Sequence, residues 1–115
     1  MYRLLALATG LFLPSLAFAV GEEAMATRFG NTVVVQDTLA TSRLWFQPDH
    51  TFRGSNWLMD VGGTWSVKEG TICLHFDETP PFRSNPECGR LTARQVGDTW
   101  EEEGRTYQLL EGVQK

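Results

Sequence analysis

The stretch Gly63-Thr64-Trp65-Ser66-Val67-Lys68-Glu69-Gly70-Thr71-Ile72-Cys73-Leu74 decides the fold. Two runs of strand-forming residues flank the pair Glu69-Gly70. A two-residue hairpin turn needs positive φ, and Gly70 supplies it at no steric cost. If Lys68 opposes Thr71, then Val67 faces Ile72, Trp65 faces Leu74 and Gly63 faces Phe76. Ser66 then opposes Cys73, and Thr64 opposes His75 on the other face. Apolar residues meet apolar ones on one side, and a slip by one residue would turn that whole set outward.

The same logic extends in both directions. Upstream, Pro48-Asp49-His50 reads as a turn, with Pro fixing φ and Asp able to bond the backbone. It pairs Phe46 with Phe52 and Trp45 with Arg53. Downstream, Glu103-Gly104 pairs Trp100 with Tyr107 and Glu102 with Arg105. Strand-like runs recur over 31–36, 42–47, 51–58, 63–68, 71–76, 89–96, 99–102 and 105–110, separated by turn residues. Such spacing is the all-β signature, and no helical periodicity is sustained after Gly21. The expected fold is a small antiparallel meander β-barrel, or a strongly curved sheet, of seven or eight strands with one disulfide. Gly62-Gly63-Thr64-Trp65 and Gly97-Asp98-Thr99-Trp100 share the pattern G-x-T-W before a Gly turn. Shared hairpin chemistry explains this more simply than an internal repeat.

The N-terminus carries a different message. Arg3 precedes an apolar run over 4–13, Pro14 and Ser15 break it, and Ala17-Phe18-Ala19 offers small residues at −3 and −1. This is the layout of a secretory signal peptide, with cleavage after Ala19. The run is too short to span a bilayer, which takes about 20 apolar residues. The organisation expected is a signal peptide over 1–19 and one domain over 20–115, with no transmembrane segment after cleavage. Removing Arg3 leaves nine basic residues against fourteen acidic ones. The seven remaining arginines are scattered among acids, so no basic stripe exists to neutralise phosphates, and nucleic acid is not an expected partner. The expected location is periplasmic or extracellular.

Cys73 and Cys88 are the two cysteines. In an exported chain an even pair reads as a disulfide. It would pin the base of the loop 77–87, whose three prolines exclude a regular strand. Phe82 lies near the tip of that loop. Its expected role is a plug folded back on the barrel, the alternative being presentation to a partner.

Little in the chain suggests catalysis. His50 sits in a tight turn and is expected to be solvated. His75 shares a face with Cys73 and has Asp77 and Glu78 nearby, too few groups for a metal set. Ser66 near His75 lacks an oxyanion hole and a nucleophile elbow. Glu101-Glu102-Glu103 reads as a solvated edge that discourages strand pairing. The sequence therefore implies no enzyme, cofactor or metal. The face opposite the packed side of the first hairpin holds more promise. Arg43, Trp45, Arg53 and Trp57 fall together there, with Trp45 and Arg53 placed for a cation–π pair. Trp and Arg are the usual binding hot spots, so these four, with His75, are the candidate binding residues.

The pattern Phe46-Gln47-Pro48-Asp49-His50-Thr51-Phe52, then Gly63-Thr64-Trp65, then Gly70-Thr71-Ile72-Cys73 and a second Cys resembles small secreted proteobacterial domains of uncharacterised function. Those domains look like relatives or mimics of the calycin and lipocalin barrels. The resemblance spans 30–88. It departs where His50 replaces the usual Gly, and Trp65 is mid-chain rather than on a first strand. It implies a barrel and no catalytic residues. The function expected is a non-enzymatic binding module for a small molecule or an envelope glycan. A protein-interaction module, such as an inhibitor of a secreted hydrolase, is the alternative. A cavity of about 300 Å³ or more would favour a small-molecule ligand, and a filled interior would favour the loops.

Overall fold

The computed structural model describes residues 20–115. The signal peptide expected over 1–19 lies outside the described residues. A short 3-10 helix, Glu22–Arg28, is followed by eight strands: β1 Thr32–Gln36, β2 Thr41–Phe46, β3 Thr51–Ser55, β4 Asp60–Lys68, β5 Thr71–Phe76, β6 Glu87–Arg90, β7 Thr99–Glu102 and β8 Arg105–Leu110. All pairings between strands are antiparallel, in the order β6-β5-β4-β3-β2-β1-β8-β7. The first six strands form a meander. The β7–β8 hairpin then joins the far side through β8 against β1, so the seam of this nearly closed barrel lies between β6 and β7.

The expected registers are the observed ones. Trp65 pairs with Leu74, Val67 with Ile72 and Gly63 with Phe76. Trp45 pairs with Arg53 and Phe46 with Phe52, and Trp100 with Tyr107. Gly63 is required where it stands, because a Cβ there would overlap the His75 carbonyl of the neighbouring strand. The inward residues Val33, Phe46, Phe52, Trp65 and Leu109 form the core with Met25 and Leu91. Cys73 pairs with Cys88 directly across β5 and β6, and the two are joined as a disulfide.

Two strands end earlier than expected, and one element was not expected at all. The run 51–58 stops at Ser55 because Asn56 forms a turn of its own. Its side-chain oxygen accepts from the Leu58 and Met59 amides at 2.8 and 2.9 Å. The run 89–96 stops at Arg90. From Leu91 the chain leaves the sheet and its carbonyls serve the 3-10 helix: Thr92 accepts from Arg28 at 3.0 Å and Arg94 from Thr27 at 2.7 Å. The 3-10 helix has no counterpart in the sequence reading. Its Met25 is fully buried, and it closes the barrel end that carries the β2–β3 turn. Phe29 stands 5.9 Å from Trp65 between ring centroids there, and Glu22 bonds His50 at 2.8 Å. His50 is thus both exposed and engaged, its ring edge-on to Trp65 at 4.3 Å.

Candidate functional site

Inward-facing side chains alternate with outward ones along every strand, and here the inward set does not fill the barrel. A cavity of about 190 Å³ remains, walled by Val33, Val35, Leu44, Val61, Leu74 and Phe76. It is smaller than the 300 Å³ expected of a site for a drug-sized ligand and larger than a filled core would leave. Dry apolar cavities of about 150 Å³ hold a benzene-sized molecule. The two ends differ in chemistry.

At the closed end stands Arg28, 6% exposed. Its Nη1 donates to the Ala24 carbonyl at 2.9 Å and its Nη2 to the Thr92 carbonyl at 3.0 Å. Burial, with the nearby charge of Arg94, lowers its pKa to about 10. Trp100 also lines the cavity. It stacks on Tyr107 at 5.4 Å, and the guanidiniums of Arg94 and Arg28 lie 4.7 and 5.8 Å from its ring centre. The cation–π geometry expected at Trp45 is found at this indole instead. Trp45 and Arg53 are cross-strand neighbours, and the Trp45 indole N–H donates to Thr32 Oγ1 at 3.1 Å.

At the mouth the loop between β5 and β6 crosses the opening. Pro80 is buried against it and lines the cavity. Phe82 is 92% exposed, so it is no plug. The reason is local: Phe82 has φ of 62°, which turns the chain outward at the residue expected to fold in. The proline two positions earlier takes the inward place. The loop is held by Arg83, whose Nη2 donates to Asp37 at 3.1 Å. Arg105 donates to Glu87 at 3.3 Å across the open seam. Glu102 also lines the mouth, so the acidic run 101–103 is partly inside rather than wholly a solvated edge. Burial alone would raise the Asp37 carboxyl. The Ala40 and Leu39 amides and the Arg83 guanidinium outweigh it and hold Asp37 below the usual carboxylate range.

The candidate residues read from the sequence divide. Arg43, Trp45, Arg53 and Trp57 line one groove on the outer face, with Asp60 and Lys115. Trp57 is 77% exposed there. His75 does not join them. It is exposed on β5, with Nε2 3.2 Å from Ser66 Oγ. Among the described residues no three His, Cys, Asp or Glu side chains gather as metal ligands would. The sequence reading missed Arg28, Trp100 and Tyr107 as cavity residues. The register of the β7–β8 hairpin puts the two aromatics on its apolar face as core residues, as found, without marking them as the wall of a cavity, and no pattern in the sequence marks Arg28. Among the described residues no helix is long and apolar enough to cross a membrane. Searches of family models, curated proteins and solved structures find no match to this chain.

Proposed function

We propose that this chain is an exported, non-enzymatic binding module whose barrel holds a small, mostly apolar molecule. The observation that carries this reading is the unfilled interior, with apolar walls and a loop across its mouth. Closed barrels of about eight strands are commonly filled by side chains or hold one small ligand, and a residual apolar cavity is costly unless occupied. A cross-strand disulfide suits an oxidising compartment, which supports a periplasmic or extracellular location.

The test is titration of the purified 20–115 chain with octanol, read as a rise in Tm and a shift in tryptophan emission. Binding should be seen, and Val61→Phe, which grows a side chain into the cavity, should weaken it at least tenfold. A wild-type Tm and emission that do not respond would overturn the reading.

A second reading is favoured by one observation. Phe82, 92% exposed on a loop whose base the disulfide anchors, is placed for a protein partner. An inhibitor of a secreted hydrolase would present such a residue. Loss of partner capture in Phe82→Ser, with Tm unchanged, would favour that module over a small-molecule carrier. The outer Arg and Trp groove suits an envelope glycan through stacking on Trp57, and glycan binding lost in Trp57→Ala would place the ligand there.

A further inference from the structure

We infer that the ligand of the barrel cavity carries an anionic head group and binds with that head toward Arg28 at the closed end. This rests on the cavity reading above and adds the ligand's charge and direction.

Arg28 lines the cavity and is 6% exposed. A guanidinium has five N–H donors, and among the described residues Arg28 makes one bond from each Nη, both to neutral backbone carbonyls. Among the described residues it forms no ion pair: the recorded pairs are His50–Glu22, Arg83–Asp37, Arg105–Asp37 and Arg105–Glu87. A second cation, Arg94, lies over the same indole and its charge acts on Arg28. Buried charges in proteins are normally paired, because removing an ion from water is expensive without a counter-charge. Here two cations lie over Trp100, and among the described residues neither forms an ion pair with a carboxylate. An anion in the cavity would supply the missing acceptor, and low local dielectric makes that attraction larger than the same pair would have in water.

The mouth argues for the same direction. Asp37 and Glu87 are matched there by Arg83 and Arg105. Glu102 and Glu103 also line the opening, and among the described residues they enter no ion pair. An anionic head left at the mouth would face these two carboxylates, whereas at the base it meets Arg28. The apolar walls between the two ends suit a short alkyl or aryl body.

The test compares four probes of equal chain length on the wild-type chain: octanoate, octanamide, octanol and octylamine. Octanoate should bind about tenfold or more tighter than octanol, octanamide should resemble octanol, and octylamine should be weakest. Arg28→Met should remove the preference, so that octanoate and octanol bind this variant to within about twofold of each other whatever their common affinity. Should that variant fail to fold, the wild-type order still decides. Octanoate no tighter than octanol would overturn the inference and leave the cavity reading standing. Octylamine binding tightest would overturn it in favour of the mouth carboxylates. No binding by any of the four would remove the cavity reading and this inference together.

Discussion

Asp37 accepts a hydrogen bond from Arg83 at 3.1 Å, and through it the β1–β2 turn holds the loop that crosses the barrel mouth. The same carboxylate accepts from the Leu39 and Ala40 amides at 2.8 and 3.0 Å. It therefore shapes its own turn and anchors a segment 46 residues away in sequence.

Arg83→Ala should release the loop without unfolding the barrel. Amides of residues 77–87 should exchange faster, those of β3 and β4 should keep their protection, and global stability should fall by at most about 1 kcal/mol, as for a partly exposed ion pair. The pH dependence has a definite sign. Asp37 titrates below its unfolded value, so its contribution is complete above the ordinary carboxylate pKa of about 4. It is lost as pH falls through the lower folded value. Loop amides should thus lose protection on acidification in the wild type and show a smaller change in Asp37→Asn. Loop exchange unaffected by either substitution would mean that Pro80, not the ion pair, holds the loop.

The turn Glu69-Gly70 offers a stabilising change. Glu69 has φ of 50° and Gly70 of 79°, so both central positions are left-handed, a conformation that costs a residue with a Cβ about 1–2 kcal/mol. Asn tolerates it better and Asn-Gly is the favoured pair for such turns. Glu69→Asn should stabilise by about 0.5–1 kcal/mol, read as a rise in Tm. A fall in Tm would show that the Glu69 side chain contributes more than the backbone strain costs.

These turns also explain how much of the fold was legible. Glu69-Gly70 and Glu103-Gly104 fix register by themselves, and the alternation on either side reports the same register independently. Both signals are local, so the pairings were readable from sequence. The strand ends were not. Asn56 stops β3 with two side-chain bonds to its own turn, a competition between side chain and sheet that periodicity does not register. The candidate site divides in the same way. Arg43, Trp45 and Arg53 come together because strand alternation places them on one face, and Trp57 joins them from the turn that follows β3. Arg28 escaped notice because its burial depends on the Thr92 carbonyl, 64 residues away, in a segment that reads as strand. His75 stands apart from that groove because β4 lies between its strand, β5, and β3.

The disulfide should matter most for β6. Cys73 and Cys88 are 15 residues apart and directly opposed, and β6 is a four-residue strand at the open seam. Closing such a loop is worth roughly 3 kcal/mol by the chain-entropy argument. Cys73→Ser or Cys88→Ser should cost about 2–4 kcal/mol in urea unfolding, with protection lost first at Gly89 and Arg90. Thiol labelling of the native wild-type chain should find no reactive group. Quantitative labelling would contradict the pairing.

Two tryptophans on opposite faces should respond differently to truncation. Trp65 is 2% exposed, packs on Phe29 and His50, and donates its indole N–H to the Gln47 carbonyl at 3.0 Å. Trp65→Ala removes buried area, opens a cavity and leaves that carbonyl without its indole donor, so about 3–5 kcal/mol should be lost. Trp45 is half-buried on the outer face and bonds Thr32 Oγ1. That hydroxyl also donates to the Gly112 carbonyl and accepts from the Gln114 amide, so it keeps partners when the indole is gone. Trp45→Ala should cost about 1–2 kcal/mol, one net hydrogen bond and partial burial. Urea unfolding of both variants checks the difference. Equal losses would mean that the outer face is a second core, leaving the Arg43, Arg53 and Trp57 groove without the indole surface that a glycan would need.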